Sequence, residues 1–168
     1  MTMITMVRPN EKRKWYGLAL RHLRMASRLL EMGFSDGATF HAYHAYECVL
    51  SSFIAANGYP VPPEGWTKLT SSTGTPISCY PSPGGGIKEQ SAHRARLKFF
   101  NELANPTSPY TARHRTLNRY LLLDVRMDSL YYDVRNDRLP HEVCPHSLAI
   151  HVVPEVHLFA RDVWKEIR

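Results

Sequence analysis

Apolar residues recur at helical spacing through most of the chain, and this spacing predicts helices rather than strands. The first helix is predicted over Glu11–Met32, where arginines Arg21, Arg24 and Arg28 lie opposite a broad apolar face. Gly33 follows this segment, and glycine commonly ends a helix. The apolar face consists of Trp15, Leu18, Ala19, Leu23, Ala26, Leu29 and Leu30.

A second helix is predicted from Ser35 or Asp36 to about Ala56, because a capping residue precedes the segment and Asn57-Gly58 follows it. Its buried side is predicted to hold Phe40, Tyr43, Tyr46, Val49, Leu50, Phe53 and Ile54. Residues 59–87 are rich in Pro, Gly, Ser and Thr and show neither a helical nor an alternating period. We therefore expect a long, irregular surface insertion there, and no strand.

Three further helices are predicted after the insertion. One covers Glu89–Leu103, and a fourth runs from Thr116 to about Val134. The segment 135–145 is predicted to be a bend because it contains two prolines, and Pro154 is predicted to open the last helix. The predicted fold class is an all-α bundle of about five helices, with a Pro/Gly-rich insertion between helices 2 and 3.

Length and composition indicate one globular domain in a reducing compartment. The chain has 168 residues and a formal charge of +6, and 15 of its 21 basic residues are arginine. Arginine suits phosphate recognition, so a nucleic-acid partner is permitted. Three cysteines do not suggest a disulfide framework, and no apolar run is long enough for a membrane helix. We expect a cytoplasmic protein that does not engage a membrane.

The first residues are predicted to lie outside the fold. Residues 1–5 read Met-Thr-Met-Ile-Thr and resemble the β-galactosidase start carried by common cloning vectors. We expect them to be a vector-derived leader. The remaining residues, 6–168, are predicted to form a single helical domain that includes the insertion 59–87.

A short polar segment after the predicted fourth helix carries the chemistry. Arg135 remains charged at any working pH and can grip a phosphate with two hydrogen bonds. His141 can exchange a proton near neutral pH. Asn136 can hydrogen-bond the phosphate or orient the histidine. The alternative is structural, since a basic residue followed by a polar turn also ends many helices.

The spacing Arg135-Asn136-x4-His141 resembles the Arg-polar-x-His motif of the HEPN superfamily, a group of small all-α domains. Within the second helix, the segment from Phe40 to Leu50 resembles the Tyr- and Ala-rich paired-helix core of that family, including an acidic residue at Glu47. The helix with His93 and a Tyr-containing helix follow in the expected order. The resemblance covers most of the chain and leaves the insertion outside it.

This resemblance implies a metal-independent endoribonuclease without a cofactor. The RNA 2′-hydroxyl would attack the adjacent phosphate and leave a 2′,3′-cyclic phosphate. Arg135, Asn136 and His141 would be catalytic, and two protomers of a homodimer would form one composite site. The resemblance also implies a toxin or defence context with a nucleotidyltransferase antitoxin. Partnered members often carry a tyrosine two residues after the histidine, where this chain has Val143.

Six further residues are candidates for RNA contact. Arg138, His44 and Tyr132 are expected near the cleft, where a tyrosine ring can stack on a base. Arg21, Arg24 and Arg28 suit an RNA backbone, although such a row of charges is also typical of a solvated helix face.

Two other functions remain open from the sequence. One is a catalytically silent HEPN module that works by binding a nucleotidyltransferase or a sensor partner. The other is a metal-binding helical protein, because histidine and cysteine are zinc ligands. The candidate ligands are His141, Cys144, His146 and His151, or the pair His41 and His44 on one helix. Their spacing fits no structural zinc pattern, so we predict no metal ligand.

Overall fold

The computed structural model describes residues 10–61, 67–70, 76–81, 87–89, 92–121 and 138–168. Helices account for most of these residues, and the predicted helical fold class is confirmed. The helices are α1 (Glu11–Glu31), α2 (Ser35–Ala56), α3 (Ala92–Leu103), α4 (Pro109–Tyr120), α5 (Pro140–Val143) and α6 (His146–Ile167). The strands are β1 (Thr67–Thr70), β2 (Pro76–Pro81) and β3 (Ile87–Glu89).

The three strands form a small antiparallel sheet in the order β1-β2-β3, which the sequence did not predict. The register pairs Thr67 with Cys79 and Cys79 with Glu89. Strands of three to six residues contain too few positions for a clear alternating pattern. The helix predicted from Glu89 begins at Ala92 instead, because Glu89 belongs to β3.

The predicted bounds of α2 and the predicted start of α1 are confirmed, and α1 ends at Glu31, one residue before the predicted Met32. The end of α1 is fixed by two backbone hydrogen bonds: Phe34 N–H donates to Leu29 O over 2.8 Å, and Gly33 N–H donates to Leu30 O over 3.0 Å. Gly33 has φ of 84°, a left-handed conformation that glycine adopts without steric cost. This is the Schellman motif, and it defines the direction in which the chain enters α2.

The predicted start of the last helix is wrong. Pro154 lies inside α6, which begins two turns earlier at His146. A proline in a helix interior removes one backbone hydrogen bond. The flanking residues Val152, Val153 and Val156 are buried, so continued packing of this helix outweighs that loss. Pro154 itself is on the exposed side.

The predicted bounds of the fourth helix are also wrong. It starts at Pro109, where Ser108 is extended and proline occupies the first helical turn. It ends at Tyr120, because Leu121 leaves the helical conformation with φ of −104° and ψ of 58°. Positions 122–134 of the predicted helix lie outside the described residues.

The chain divides into two compact units, and the assignment of 6–168 to a single domain stays a prediction. Unit 1 comprises Met1–Trp15 and Leu50–Ala104. Its core includes Ile54, Ala55, Val61 and Phe99, with Trp15, Tyr59 and Leu103 packed against it. The rings of Phe53 and Phe100 lie 4.8 Å apart in the same unit.

Unit 2 comprises Tyr16–Val49 and Asn105–Arg168. Its α1 segment buries Ala19, Leu23 and Ala26, and the Tyr16 and Trp164 rings stack at 4.2 Å. Packing of α4 on α6 is reinforced by Arg113, whose Nη1 donates to Glu155 and whose Nε donates to Asp162, each over 2.8 Å. Every described residue considered below as a site residue belongs to unit 2.

Candidate active site

His141 lies on α5, a single helical turn, and its side chain is exposed to solvent. Pro140 precedes it in the first helical turn, where the fixed φ of proline suits a helix start. The prediction of a bend between the fourth and last helices is therefore refined for this part, since a short helix presents the histidine. An exposed imidazole is accessible to a substrate.

The backbone around His141 is held at both ends. The Glu142 carboxylate accepts a hydrogen bond from Leu139 N–H over 2.7 Å, which caps the start of α5. At the other end, Cys144 N–H donates to Pro140 O over 2.9 Å, and the Cys144 side chain is fully buried. A fixed backbone restricts the positions that the His141 ring can occupy, as a catalytic group requires.

The other residues of the predicted motif are located less completely. Arg135, Asn136 and Tyr132 lie outside the described residues, so their roles and their geometry toward His141 stay predictions. Arg138 is described, and its side chain is exposed three positions before His141. Its predicted contact with RNA is compatible with that exposure but is not tested by it.

His44 lies in a cluster of rings between α1 and α2. Its ring is 4.4 Å from the ring of Phe40 in an edge-to-face arrangement and 5.4 Å from the ring of His22. His22 was not among the site residues predicted from the sequence. No spacing along the sequence pointed to it, because its ring partners lie on α2. His41 completes the cluster, and its Nδ1 lies 2.9 Å from the Nδ1 of His22.

This short nitrogen–nitrogen distance requires that one ring donates a hydrogen bond and the other accepts it. Partial burial lowers the pKa of His22, and the nearby Arg21 lowers it further. Partial burial also lowers the pKa of His41, with a second contribution from His22. Both rings therefore favour the neutral form, in which such a pair forms without charge repulsion.

The arginines of α1 lie on the exposed face, as predicted. Arg28 pairs with Glu31 over 2.8 Å, and both side chains are largely exposed. An ion pair of that kind contributes little stability in water. Because Arg21, Arg24 and Arg28 are all exposed, they are accessible to RNA. Their contact with RNA stays a prediction.

One buried histidine was not predicted from the sequence. His114 on α4 is 1% exposed, and its Nδ1 lies 2.7 Å from the Tyr46 hydroxyl oxygen. Burial, helped by the charge of Arg115, lowers the pKa of His114 to about 4. Glu47, beside Tyr46, is also buried and accepts a hydrogen bond from the Tyr43 hydroxyl over 3.3 Å. These groups stabilise the core rather than face a substrate.

The described residues contain no group of three or more His, Cys, Asp and Glu side chains arranged to hold a metal ion. The candidate set of His141, Cys144, His146 and His151 is fully within the described part, and it does not converge. Among the described helices, none is both long and apolar enough to cross a membrane.

Comparison with known proteins identifies a family for the first helices of the chain. Residues 13–66 match the HEPN domain family, and this range includes most of α1 and all of α2. No curated protein and no solved structure matches the chain. The matched range ends long before Arg135, so it supports the paired-helix resemblance independently of the catalytic motif. A HEPN domain indicates a nuclease, an RNA-binding module or a toxin-like module. Over residues 13–66 the chain is therefore similar to the HEPN domain family.

Proposed function

We propose that this protein is a metal-independent endoribonuclease in which Arg135 and His141 carry out the reaction. The observation that carries the proposal is the motif Arg135-Asn136-x4-His141 in a chain whose residues 13–66 match the HEPN domain. The exposed position of His141 on a capped helical turn supports it, because a proton-transferring group must reach its substrate.

In the proposed reaction, His141 removes a proton from the RNA 2′-hydroxyl or donates one to the leaving 5′-oxygen. The 2′-oxygen forms a bond to the adjacent phosphorus, and the bond to the 5′-oxygen breaks. Arg135 stabilises the negative charge that develops on the phosphate oxygens. Asn136 hydrogen-bonds the phosphate or orients His141, and Arg138, His44 and Tyr132 contact the RNA.

We also propose that the active form is a homodimer. One histidine cannot readily act as base and acid on opposite sides of one phosphate, whereas two protomers supply two. A toxin or defence role, regulated by a partner protein, follows as a further proposal from the family. Val143 occupies the place of the tyrosine that partnered members often carry, so modification at that position is not part of it.

The test compares RNA cleavage by the full chain and by two single variants in the presence of EDTA. Arg135→Ala and His141→Ala are each expected to lower the rate by at least about a hundredfold. Matched controls are Arg119→Ala and His151→Ala, which change exposed residues of the same types on α4 and α6. Unchanged cleavage by the motif variants would refute the mechanism.

Two further outcomes identify the alternatives. Loss of cleavage in EDTA together with loss in His151→Ala would favour the metal-binding function. A folded, dimeric chain that cleaves no RNA in any preparation would favour the silent binding module.

A further inference from the structure

An apolar stripe lies on the solvent side of α1. Leu18, Met25 and Met32 follow one another at seven-residue spacing and are 38%, 50% and 67% exposed. Seven residues are close to two helical turns, so these side chains form one line along the helix, about 21 Å long. We refer to these three residues as the α1 stripe. Isolated apolar residues on a surface are ordinary, whereas an aligned row indicates an interaction site.

Phe34 adds a fourth apolar side chain beyond the end of α1, and it is 53% exposed. The hydrogen bonds of the Schellman motif at Gly33 fix its backbone position. Methionine adapts to different partner shapes because its side chain is unbranched and polarizable. The α1 stripe and Phe34 therefore provide a surface that can be covered by another apolar face.

The charge beside the α1 stripe is positive. Arg21 and Arg28 each follow a stripe residue by three positions, which places them next to it on the helix surface. Arg24 lies further round the same exposed face. Within the part of the chain that the structure describes, neither Arg21 nor Arg24 forms an ion pair. A partner with acidic groups would complement this flank.

We propose that the α1 stripe is a docking surface for an acidic amphipathic helix of a partner protein. A helix with apolar residues at the same seven-residue spacing would cover the stripe along its length. Acidic residues beside that apolar row would lie opposite Arg21 and Arg28. This proposal does not depend on ribonuclease activity, because it uses none of the motif residues.

Two other occupants fit these observations less well. RNA phosphates would satisfy the arginines but would leave Met25 and Met32 in water. A second copy of the chain, packed about a two-fold axis through this stripe, would bring the arginines of both copies together. Like charges in that position oppose association, whereas an acidic helix removes the conflict.

The test uses a labelled synthetic helical peptide with leucine at heptad core positions and glutamate beside them, and fluorescence anisotropy measures its binding to the full chain. Met25→Gln is expected to weaken binding about tenfold, because it places a polar amide in the centre of the stripe. Ile150→Gln is the matched control, since Ile150 is 42% exposed on α6 and outside the stripe. Circular dichroism confirms that both variants remain folded.

A charge exchange makes the test specific. The double variant Arg21→Glu, Arg28→Glu is expected not to bind the acidic peptide. It is expected to bind a peptide that has lysine in place of glutamate. No binding of the acidic peptide, equal binding of a scrambled peptide, or no effect of Met25→Gln would overturn the proposal. A dimer that becomes a monomer in Met25→Gln by light scattering would identify a second copy instead. A loss of affinity for single-stranded RNA in Met25→Gln would identify an RNA surface, and each of these results also overturns it.

Discussion

The Tyr46 hydroxyl oxygen and the Nδ1 atom of His114 lie 2.7 Å apart in a position where both side chains are 1% exposed. This bond joins α2 to α4 inside unit 2, and the ring of Phe159 lies 5.4 Å from the ring of Tyr46. A buried imidazole without a partner would cost stability, so Tyr46 offsets the burial of His114.

The first prediction concerns pH. His114 has a pKa of about 4 when folded and an ordinary value of 6.5 when unfolded, so the unfolded chain binds more protons between these values. The free energy of unfolding is therefore expected to fall as the pH drops from 6.5 to 4, because the unfolded chain gains a proton that the buried ring does not accept. Above pH 6.5 the titration of His114 has no effect on stability, because the ring is neutral in both states. The decrease in unfolding free energy across this pH window is about 3 kcal/mol.

Urea unfolding at several pH values checks this, with His114→Gln as the reference because glutamine cannot be protonated and still accepts a hydrogen bond. The difference in unfolding free energy between wild type and the variant is expected to rise with pH across this window. A constant difference would contradict the assigned pKa and its cause.

A second prediction concerns the pair of histidines between α1 and α2. His22 contributes to the lowered pKa of His41, so His22→Gln is expected to raise the pKa of His41 toward its ordinary value. NMR titration of the imidazole resonances measures it. The internal control is His157, whose pKa is lowered by burial and whose Nε2 contacts Ser27 over 3.1 Å, so it should not change. An unchanged pKa of His41 would show that the two rings are not coupled.

A third prediction compares two glycines of the α1 region. Gly33→Ala is expected to lower the unfolding free energy by about 1 kcal/mol, because alanine is strained at a φ of 84°. Gly17→Ala is expected to raise it by about 0.5–1 kcal/mol, because Gly17 lies inside α1 and an added Cβ meets no atom within 4 Å. Chemical denaturation measures both. Effects of the same sign would contradict the assigned end of α1.

A fourth prediction concerns Arg113, which bridges two carboxylates on α6. Burial raises the pKa of Asp162, but the hydrogen bonds and charges of Arg113 and Arg161 outweigh this and lower it. Arg113→Ala is expected to cost about 1–3 kcal/mol of unfolding free energy. Arg113→Lys should recover only part, since one ammonium group cannot span both Glu155 and Asp162.

The matched control for Arg113→Ala is Arg119→Ala, on the exposed side of the same helix. It is expected to change the unfolding free energy by less than about 0.5 kcal/mol. Because the pKa of Asp162 is lowered on folding, the cost of Arg113→Ala should be complete above the unfolded pKa of Asp162. It should decline as the pH falls through the folded value. Equal costs for Ala and Lys variants at every pH would contradict a two-carboxylate bridge.

The helical fold could be predicted because α1 carries a long amphipathic pattern, and because α1 and α2 both have clear end signals. In α1 the buried residues Ala19, Leu23 and Ala26 fall on the predicted apolar face, and Gly33 ends the helix as predicted. In α6 the predicted start at Pro154 is wrong, because burial of the valines around Pro154 outweighs the preference of proline for a helix start. The strands were too short for any periodic signal.

The candidate site could be predicted only where residue type and spacing carry chemistry. His141 was identified from its distance along the chain to Arg135, and the structure adds its exposure and its capped helical turn. The pairs His22–His41 and Tyr46–His114 join different helices, and no spacing along the sequence reveals such contacts. Helix packing, rather than local pattern, brings these residues together.

The proposed ribonuclease activity is tested most directly by the chemistry of its products. The purified 168-residue chain is incubated with a labelled RNA in EDTA, and the new ends are identified by mass spectrometry. We predict a 2′,3′-cyclic phosphate on one fragment and a 5′-hydroxyl on the other, with both products absent in His141→Ala. Fragments with a 3′-hydroxyl and a 5′-phosphate, or cleavage that persists in His141→Ala, would contradict the proposed mechanism.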